Sequence, residues 1–439
     1  MKGQIIFILA LIITFGIFFY TVSRIVALFR LTKPTFPVKD FGKRFILVLK
    51  VAFGQTKILR RPVIGFLHAL VFWGFCIILL GSIEMVIDGI TGTEKALRFL
   101  GPVHNFIMAA GDVFAMLVLV SVVVFLARRL FLKIRRFEGI EMKKKSHIDA
   151  IISLSLIFFL MITLLGMNTG YIKNAELTRQ TIYGAYPVSR LLASFLNGSE
   201  AEPFRLLYRV SWWSHILTIF FFANYLPYSK HFHVFMSIPN VFLSRLDPLG
   251  KVTNMENVTR EVKLMLNPET AFSQSEEGMV PERFGIKDAE DVTWKNYLDS
   301  LSCTECGRCT SVCPANITGK KLSPRKIMMD LRARMKEKGP GLVSKGKEYS
   351  DGKSLLRDYI SEEELWACTT CNACARECPV NINHPSVIID MRRYLVMEEG
   401  SAPGQIKAMF SNIENNGAPW QYSPEDRLNW AKDIEININ

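Results

Sequence analysis

The sequence predicts a mainly α-helical protein in two unlike halves: five membrane-spanning helices, then a helical domain built around cysteines. Three observations predict this. Five apolar runs, each long enough to cross a bilayer, lie in the first 235 of 439 residues. The loops between them alternate between strongly and weakly basic. Eight of the nine cysteines fall into two copies of one spacing, C-x2-C-x2-C-x3-C-P, in the other half.

The apolar runs are 4–28, 63–87, 103–126, 148–171 and 206–228. The first follows Lys2, as a signal peptide would. It is too long for a cleaved signal and lacks a small-residue cleavage site, so it reads as a retained span. Residues 30–61 hold nine Lys/Arg against one acid, and 128–147 hold eight against two. The other two connections, 89–101 and 172–205, hold two and four. Basic loops stay on the cytoplasmic side. The N-terminus is therefore expected outside, and the chain is expected to leave the bilayer inside after Tyr228. Residues 41–51 read as an amphipathic helix in the membrane surface. The net charge of +13 follows largely from these loops. It does not suggest nucleic-acid binding, because no aromatic platform is interleaved with the basic residues.

The cysteine runs are Cys303, Cys306, Cys309 and Cys313 before Pro314, and Cys368, Cys371, Cys374 and Cys378 before Pro379. This spacing is the bacterial pattern for two [4Fe-4S] clusters, in which the fourth cysteine of each run ligates the other cluster. That rule assigns cluster one to Cys303, Cys306, Cys309 and Cys378. Cluster two takes Cys368, Cys371, Cys374 and Cys313. Zinc would need only two C-x2-C pairs. The 54 residues between the runs contain a helix at 323–338, with Ser323 as cap and Pro324 at its first position. Another helix is expected over 384–397. The domain thus reads as a helical ferredoxin rather than a small β-ribbon one. So many free thiols fit a reducing compartment. Cys76 lies in an apolar run and reads as packing.

Five of the seven histidines, His68, His104, His215, His231 and His233, lie in or at the ends of spans. Ionisable residues there are costly and point to function, and neutral imidazole is the usual axial ligand of b-type haem. His215 and His233 are 18 residues apart, or five helical turns, which places them on one face roughly 27 Å apart. His231 points elsewhere on that helix, and Pro227 is expected to bend it. Matching depth pairs His68 with His233 at the inner side and His104 with His215 at the outer side. His147 and His384 read as non-ligands. Asp112, at mid-span, needs a partner or a proton: it serves either a proton path or a hydrogen bond to a neighbouring helix. Glu84, Asp88 and Arg98 lie near the outer face as candidates for lining a quinone site. Trp212 and Trp213 read as interfacial aromatics.

A resemblance is carried by these residues. The five-span plan, Phe66-Leu67-His68, and the His215–His233 spacing with Leu226-Pro227-Tyr228-Ser229-Lys230 between them resemble the di-haem cytochrome b subunit of respiratory nitrate reductase. In that family the fifth helix gives one ligand to each haem, which implies His215 and His233. The family's second helix carries two histidines, the later one ten positions on. Here that position is Ile78, so His104 stands as the substitute. The whole chain is similar to membrane-bound iron–sulfur oxidoreductases related to heterodisulfide reductase, of the electron-transfer-flavoprotein:quinone oxidoreductase type. Those proteins usually continue into cysteine-rich CCG domains, and no CCG motif occurs before Asn439. The resemblance implies that a separate subunit supplies that part or that the protein works without it.

The expected map is a five-span di-haem cytochrome b-like domain over 1–235 and a linker over 236–295. A two-cluster helical ferredoxin domain follows over 296–400, then a C-terminal extension over 401–439 that is a candidate partner contact. The expected function is a subunit of a quinone-linked oxidoreductase in a bacterial or archaeal cytoplasmic membrane. It would join a cytoplasmic CCG-domain subunit or electron-transfer flavoprotein to quinone or menaquinone, through two clusters and two haem b, as part of a complex. Two rivals stay open: a membrane ferredoxin for cofactor maturation, and a redox sensor.

Overall fold

The computed structural model describes residues 2–267, 283–432 and 434. The linker reading for 268–282 and the C-terminal reading for 433 and 435–439 lie outside the described residues. Among the described residues the chain is helical without strands; only two isolated bridges occur, Lys33 with Thr293 and Leu356 with Ile360.

Five helices are long and apolar enough to cross a membrane: Gly3–Arg30, Pro62–Thr91, Pro102–Phe131, Lys144–Thr178 and Glu202–Tyr228. They belong to α1 (Lys2–Arg30), α3 (Pro62–Thr91), α4 (Pro102–Phe131), α5 (Lys144–Thr178) and α7 (Glu202–Tyr225). Proline in the first turn opens α3, α4 and α7, where a missing N–H costs nothing. Gly92, at φ 74°, closes α3 with the left-handed turn that glycine adopts without strain. Helix α5 packs against α4 and α7, α3 against α4, and α1 against α3 and α7. On α1, Phe7 is buried against Phe220 and Trp212. Its ring sits on Gly89, where a Cβ would lie 2.4 Å away. The opposite face, with Ile5, Leu9, Ile12 and Ile13, is exposed as a lipid-facing surface requires.

The short helix α2 (Phe41–Val48) covers most of the expected surface helix. It exposes Phe41, Phe45 and Ile46 and buries Arg44. The Arg44 guanidinium donates to Lys39 O, Phe242 O and Ser244 O.

The fifth span differs from expectation. No continuous helix joins His215 to His233. Helix α7 stops at Tyr225, Ser229 is extended (φ −94°, ψ 158°), and α8 (His233–Phe242) starts anew. Pro227 is one reason, because it cannot donate to the ladder. Helix α5 supplies the other. Its Asp149 carboxylate accepts Lys230 N–H at 2.9 Å and Tyr225 Oη–H at 2.6 Å. Ser229 Oγ accepts His231 N–H and lies 3.3 Å from Ser153 Oγ. Irregular backbone at this depth is tolerated only where such partners exist. The five-turn relation between the two histidines therefore does not hold.

Two short helices, α6 (Pro187–Ser194) and α9 (Glu256–Leu266), lie in the connections. The second half is built from α10 (Trp294–Ser302), α11 (Arg308–Ser311), α12 (Pro314–Ile317), α13 (Pro324–Lys345), α14 (Glu362–Trp366), α15 (Ala373–Glu377), α16 (His384–Arg393) and α17 (Gly404–Asn416). Ser323 caps α13 as expected by accepting Lys326 N–H, and the helix runs past 338 to Lys345. One apolar core joins α10, α13 and α16 and includes Leu28 of α1 and Phe232 from the broken span. At its edge the fully buried Arg334 bonds Asp288 at 2.7 Å and Asp351 at 2.6 Å.

Candidate iron–sulfur site and its seat on the membrane bundle

The two cysteine runs are conformational twins. The second and fourth residues after each leading cysteine are left-handed: Glu305 (φ 57°) and Gly307 (φ 71°) after Cys303, Thr370 (φ 54°) and Asn372 (φ 59°) after Cys368. Each run then makes a short helix, α11 or α15, that carries its third cysteine. This repeat lies in backbone angles, which the spacing alone does not show; the Gly307/Asn372 correspondence is its one trace in the sequence.

The electrostatic neighbours of each thiol define two sets. Cys378 lies in the field of Cys306 and Cys303, and Cys309 in that of Cys306, Cys303 and Cys378, with Cys374 of the other set as its weakest neighbour. Cys313 instead feels Cys368 and Cys371, and Cys374 feels Cys368, Cys313 and Cys371. A cavity is lined by Cys303, Cys306, Cys309 and Cys378 together with Arg308, Arg325 and His384. Among the described residues, no group of three or more His, Cys, Asp or Glu is drawn together tightly enough for a single metal ion. Ligands of one zinc all lie about 2.0–2.3 Å from a common centre. A cubane occupies more space and holds its thiolates farther apart. Burial pushes the Cys303 thiol up to about 11, and the Cys374 and Cys378 thiols up to about 12. Ligation requires thiolates, so the positive charge of bound iron must draw these protons off. Donor type and grouping fit two cubane clusters, and the cavity at the first set fits one of them. The two sets differ in exposure: Cys303 and Cys309 are buried, while Cys371 is exposed.

The first set sits directly on the bundle. The Arg308 guanidinium donates to the carbonyls of Lys57 and Ile58, just before α3. Arg325 donates to Arg136 O and Glu138 O and pairs with Glu141 at 2.7 Å, all after α4. Asn240 of α8 donates to Val380 O at 2.8 Å. Gly65 makes this seat tight, since a Cβ there would lie 2.2 Å from Ile58 O.

His68 lies three residues beyond Gly65, half-buried, with an unpartnered Nδ1. His233 and Arg308 lie within electrostatic reach of it. His233 Nδ1 contacts Lys230 O at 3.2 Å, which orients the ring, and burial pushes its pKa down, keeping it neutral. His231 stands beside it, ring centroids 5.5 Å apart, with its own Nδ1 unpartnered. His233 is thus an electrostatic neighbour of His68, and His231, which the continuous-helix reading turned away, stands beside His233.

The outer residues are arranged differently. His215 Nδ1 lies 3.0 Å from both Leu160 O and Thr163 Oγ1. His104 Nε2 bonds Glu84 Oε1 at 2.9 Å, and both side chains are buried. No hydrogen bond, ion pair or ring contact joins His104 to His215 among the described residues. Glu84 also accepts Leu97 N–H, and Lys95 Nζ lies 3.9 Å from it, over the rings of Tyr171 and Tyr186. Sequence reading missed Lys95 and Tyr186, both within otherwise unremarkable loops. Asp88 caps the turn after α3 by accepting Lys95 and Ala96 N–H. Arg98 lies over Tyr183. Asp112 is saturated: it accepts from Asn168, from Ser189 Oγ, and from the backbone N–H groups of Val188 and Ser189. Of the two readings open for it, the geometry is that of the structural hydrogen bond.

Fold and site together define an iron–sulfur protein with a membrane-type helical half. Residues 302–382 match the 4Fe-4S dicluster domain. Over 96% of its length the chain is 30% identical to a probable iron-sulfur-binding oxidoreductase, FadF, of Bacillus subtilis, covering 60% of that protein. It is likewise 30% identical to the EtfAB:quinone oxidoreductase of Syntrophomonas wolfei, over 86% of this chain and 52% of that one. A probable membrane-anchored ferredoxin of Chromohalobacter salexigens is 36% identical over 35% of this chain and 25% of its own length. The chain therefore spans between half and two thirds of the first two relatives. No solved structure matches it. The chain is homologous along nearly its whole length to iron–sulfur oxidoreductases, and it carries a 4Fe-4S dicluster domain.

Proposed function

We propose that this chain is the membrane electron-transfer subunit of a quinone-linked oxidoreductase, with its cysteine domain on the cytoplasmic side. Bound clusters and haem b supply the one-electron relay, and the chain supplies ligands, burial and orientation. One observation carries this reading: Arg308, between Cys306 and Cys309, is bonded to the backbone just before α3, the helix that carries His68, and both Arg308 and His233 are electrostatic neighbours of that histidine. A ferredoxin needed only in solution has no use for that seat. His68 and His233 are the ligand pair for an inner haem. The oriented His215 is a ligand for an outer haem. His104 is its proposed partner only if the Glu84 bond gives way, since that bond holds Nε2.

The exposed Cys371 edge of cluster two is the entry point for a soluble redox partner, either an electron-transfer flavoprotein or a CCG-domain subunit. The name of the Syntrophomonas relative supports the flavoprotein and quinone. The buried Glu84, Lys95 and Tyr186 group is the proposed place for a quinone head group.

The test is a dithionite-reduced minus oxidised spectrum of the detergent-purified protein, with haem and iron quantified on the same sample. About eight non-haem irons per chain with b-type haem is the expected result. His68→Ala and His233→Ala should each remove the same haem. Iron without any haem overturns the reading.

A further inference from the structure

His384 opens α16, five residues after Pro379. The sequence offers only a helix-start role for it, but its surroundings are those of a working group. The ring is 1% exposed, its Nδ1 has no hydrogen-bond partner, and it lines the cavity of Cys303, Cys306, Cys309 and Cys378. Leaving a buried polar atom unpaired is costly, so a partner is expected inside that cavity. The charged side chains there are already engaged: Arg308 is spent on Lys57 O and Ile58 O, and Arg325 on Arg136 O, Glu138 O and Glu141. The four cysteine sulfurs and the Thr304 hydroxyl remain, and the sulfurs make up most of that polar lining.

We infer that His384 donates a hydrogen bond to a sulfur of the cluster held by Cys303, Cys306, Cys309 and Cys378, and that this bond raises the cluster's reduction potential. An imidazole carries at least one N–H whichever its protonation state, so the ring has a donor to offer that sulfur. A reduced cluster is more negative by one charge and accepts that bond more strongly. The bond therefore favours the reduced state, one of the known controls on cluster potential. It sets cluster one apart from cluster two, because the position five residues beyond Pro314 is Gly319, which offers no side-chain donor. The inference rests on the cluster-binding reading of the four cysteines.

The test is an EPR-monitored redox titration of the full chain in detergent, wild type against His384→Leu and His384→Gln. His384→Leu should lower the ratio of reduced to oxidised cluster one at least tenfold at fixed ambient potential, about 59 mV for one electron. Cluster two should titrate as before, and His384→Gln, which keeps an N–H, should recover most of the shift. In wild type with nitrogen-15-labelled histidine, pulsed EPR should show weak nitrogen coupling and an exchangeable proton at reduced cluster one. That measurement decides the matter even if a variant loses iron. Unchanged midpoints at unchanged iron content, no histidine coupling, or coupling strong enough for direct ligation would each overturn the inference. Loss of both cluster signals from wild type would instead sink the cluster reading itself, and this one with it.

Discussion

Arg308 holds the Lys57 carbonyl across the junction between the two halves, and the Lys57 amine in turn holds Cys378. The Arg308 guanidinium donates to Lys57 O at 2.9 Å, and Lys57 Nζ reaches back to Cys378 O at 3.1 Å. The two cysteine runs that build cluster one are thereby both tied to the residues just before α3.

Arg308→Ala should loosen that tie. It leaves the carbonyls of Lys57 and Ile58 without their donor, at roughly 1–3 kcal/mol each. Arg308→Lys keeps charge but loses the two-pronged geometry. Both variants should melt lower in detergent, alanine more so. Stopped-flow reduction of haem through the clusters should slow in both. Equal melting and equal haem reduction in all three proteins would count against a coupling role.

Cross-ligation makes a distinct pattern of losses. Cys378→Ser should perturb the same EPR signal as Cys303→Ser, and Cys313→Ser the same signal as Cys368→Ser. If Cys313→Ser instead perturbs the signal of Cys303, each run serves its own cluster.

Asp112 acts as the N-terminal cap of α6 from a different helix. Asp112→Ala should strand the N–H groups of Val188 and Ser189, costing roughly 1–3 kcal/mol each. Asp112→Asn keeps acceptor capacity and should lose less. Thermal unfolding and limited proteolysis across 179–201 check this. An alanine variant as stable as wild type would reopen the proton-path reading.

Arg334 is the buried centre of an acid-sensitive knot. Hydrogen bonding to Arg334 holds the Asp351 carboxyl below the usual range. For Asp288, burial alone would raise the carboxyl, but Arg334 and Lys338 outweigh it and lower it. Groups with depressed folded pKa values stabilise fully above their unfolded value of about 3.9. That stability drains away as pH falls below it. The knot should therefore contribute a constant amount from pH 7 down to 5 and begin to fail below about pH 4. Arg334→Met should flatten that acid limb, and Arg334→Ala should cost roughly 3–5 kcal/mol at neutral pH. Parallel acid limbs for wild type and Arg334→Met in urea unfolding would contradict it.

What could be read from the sequence was whatever had a strong local cause. Span positions follow from runs of apolar residues and from Pro62 and Pro102, so the helices contain the expected runs. The cysteine spacing led directly to the dicluster domain. Relations set by tertiary partners could not be read. The helix expected through His215 and His233 breaks because Asp149, some 80 residues earlier, offers its carboxylate to Lys230 N–H. His104 looked free because nothing near it in sequence announces Glu84, twenty positions away on another helix. The isolated Asp112 could not be decided from sequence, because its partners on α6 belong to a segment without a periodic pattern.

Gly65 has a consequence for rate rather than stability. Electron tunnelling falls steeply with each added ångström, so a relay works at the speed of its widest gap. Here the Arg308 guanidinium joins the first cysteine loop to the Ile58 carbonyl, and that carbonyl rests directly on the main chain of Gly65, three residues before His68. Any side chain at position 65 acts as a shim: it lifts the Ile58 carbonyl, and Arg308 and the iron-binding loop rise with it.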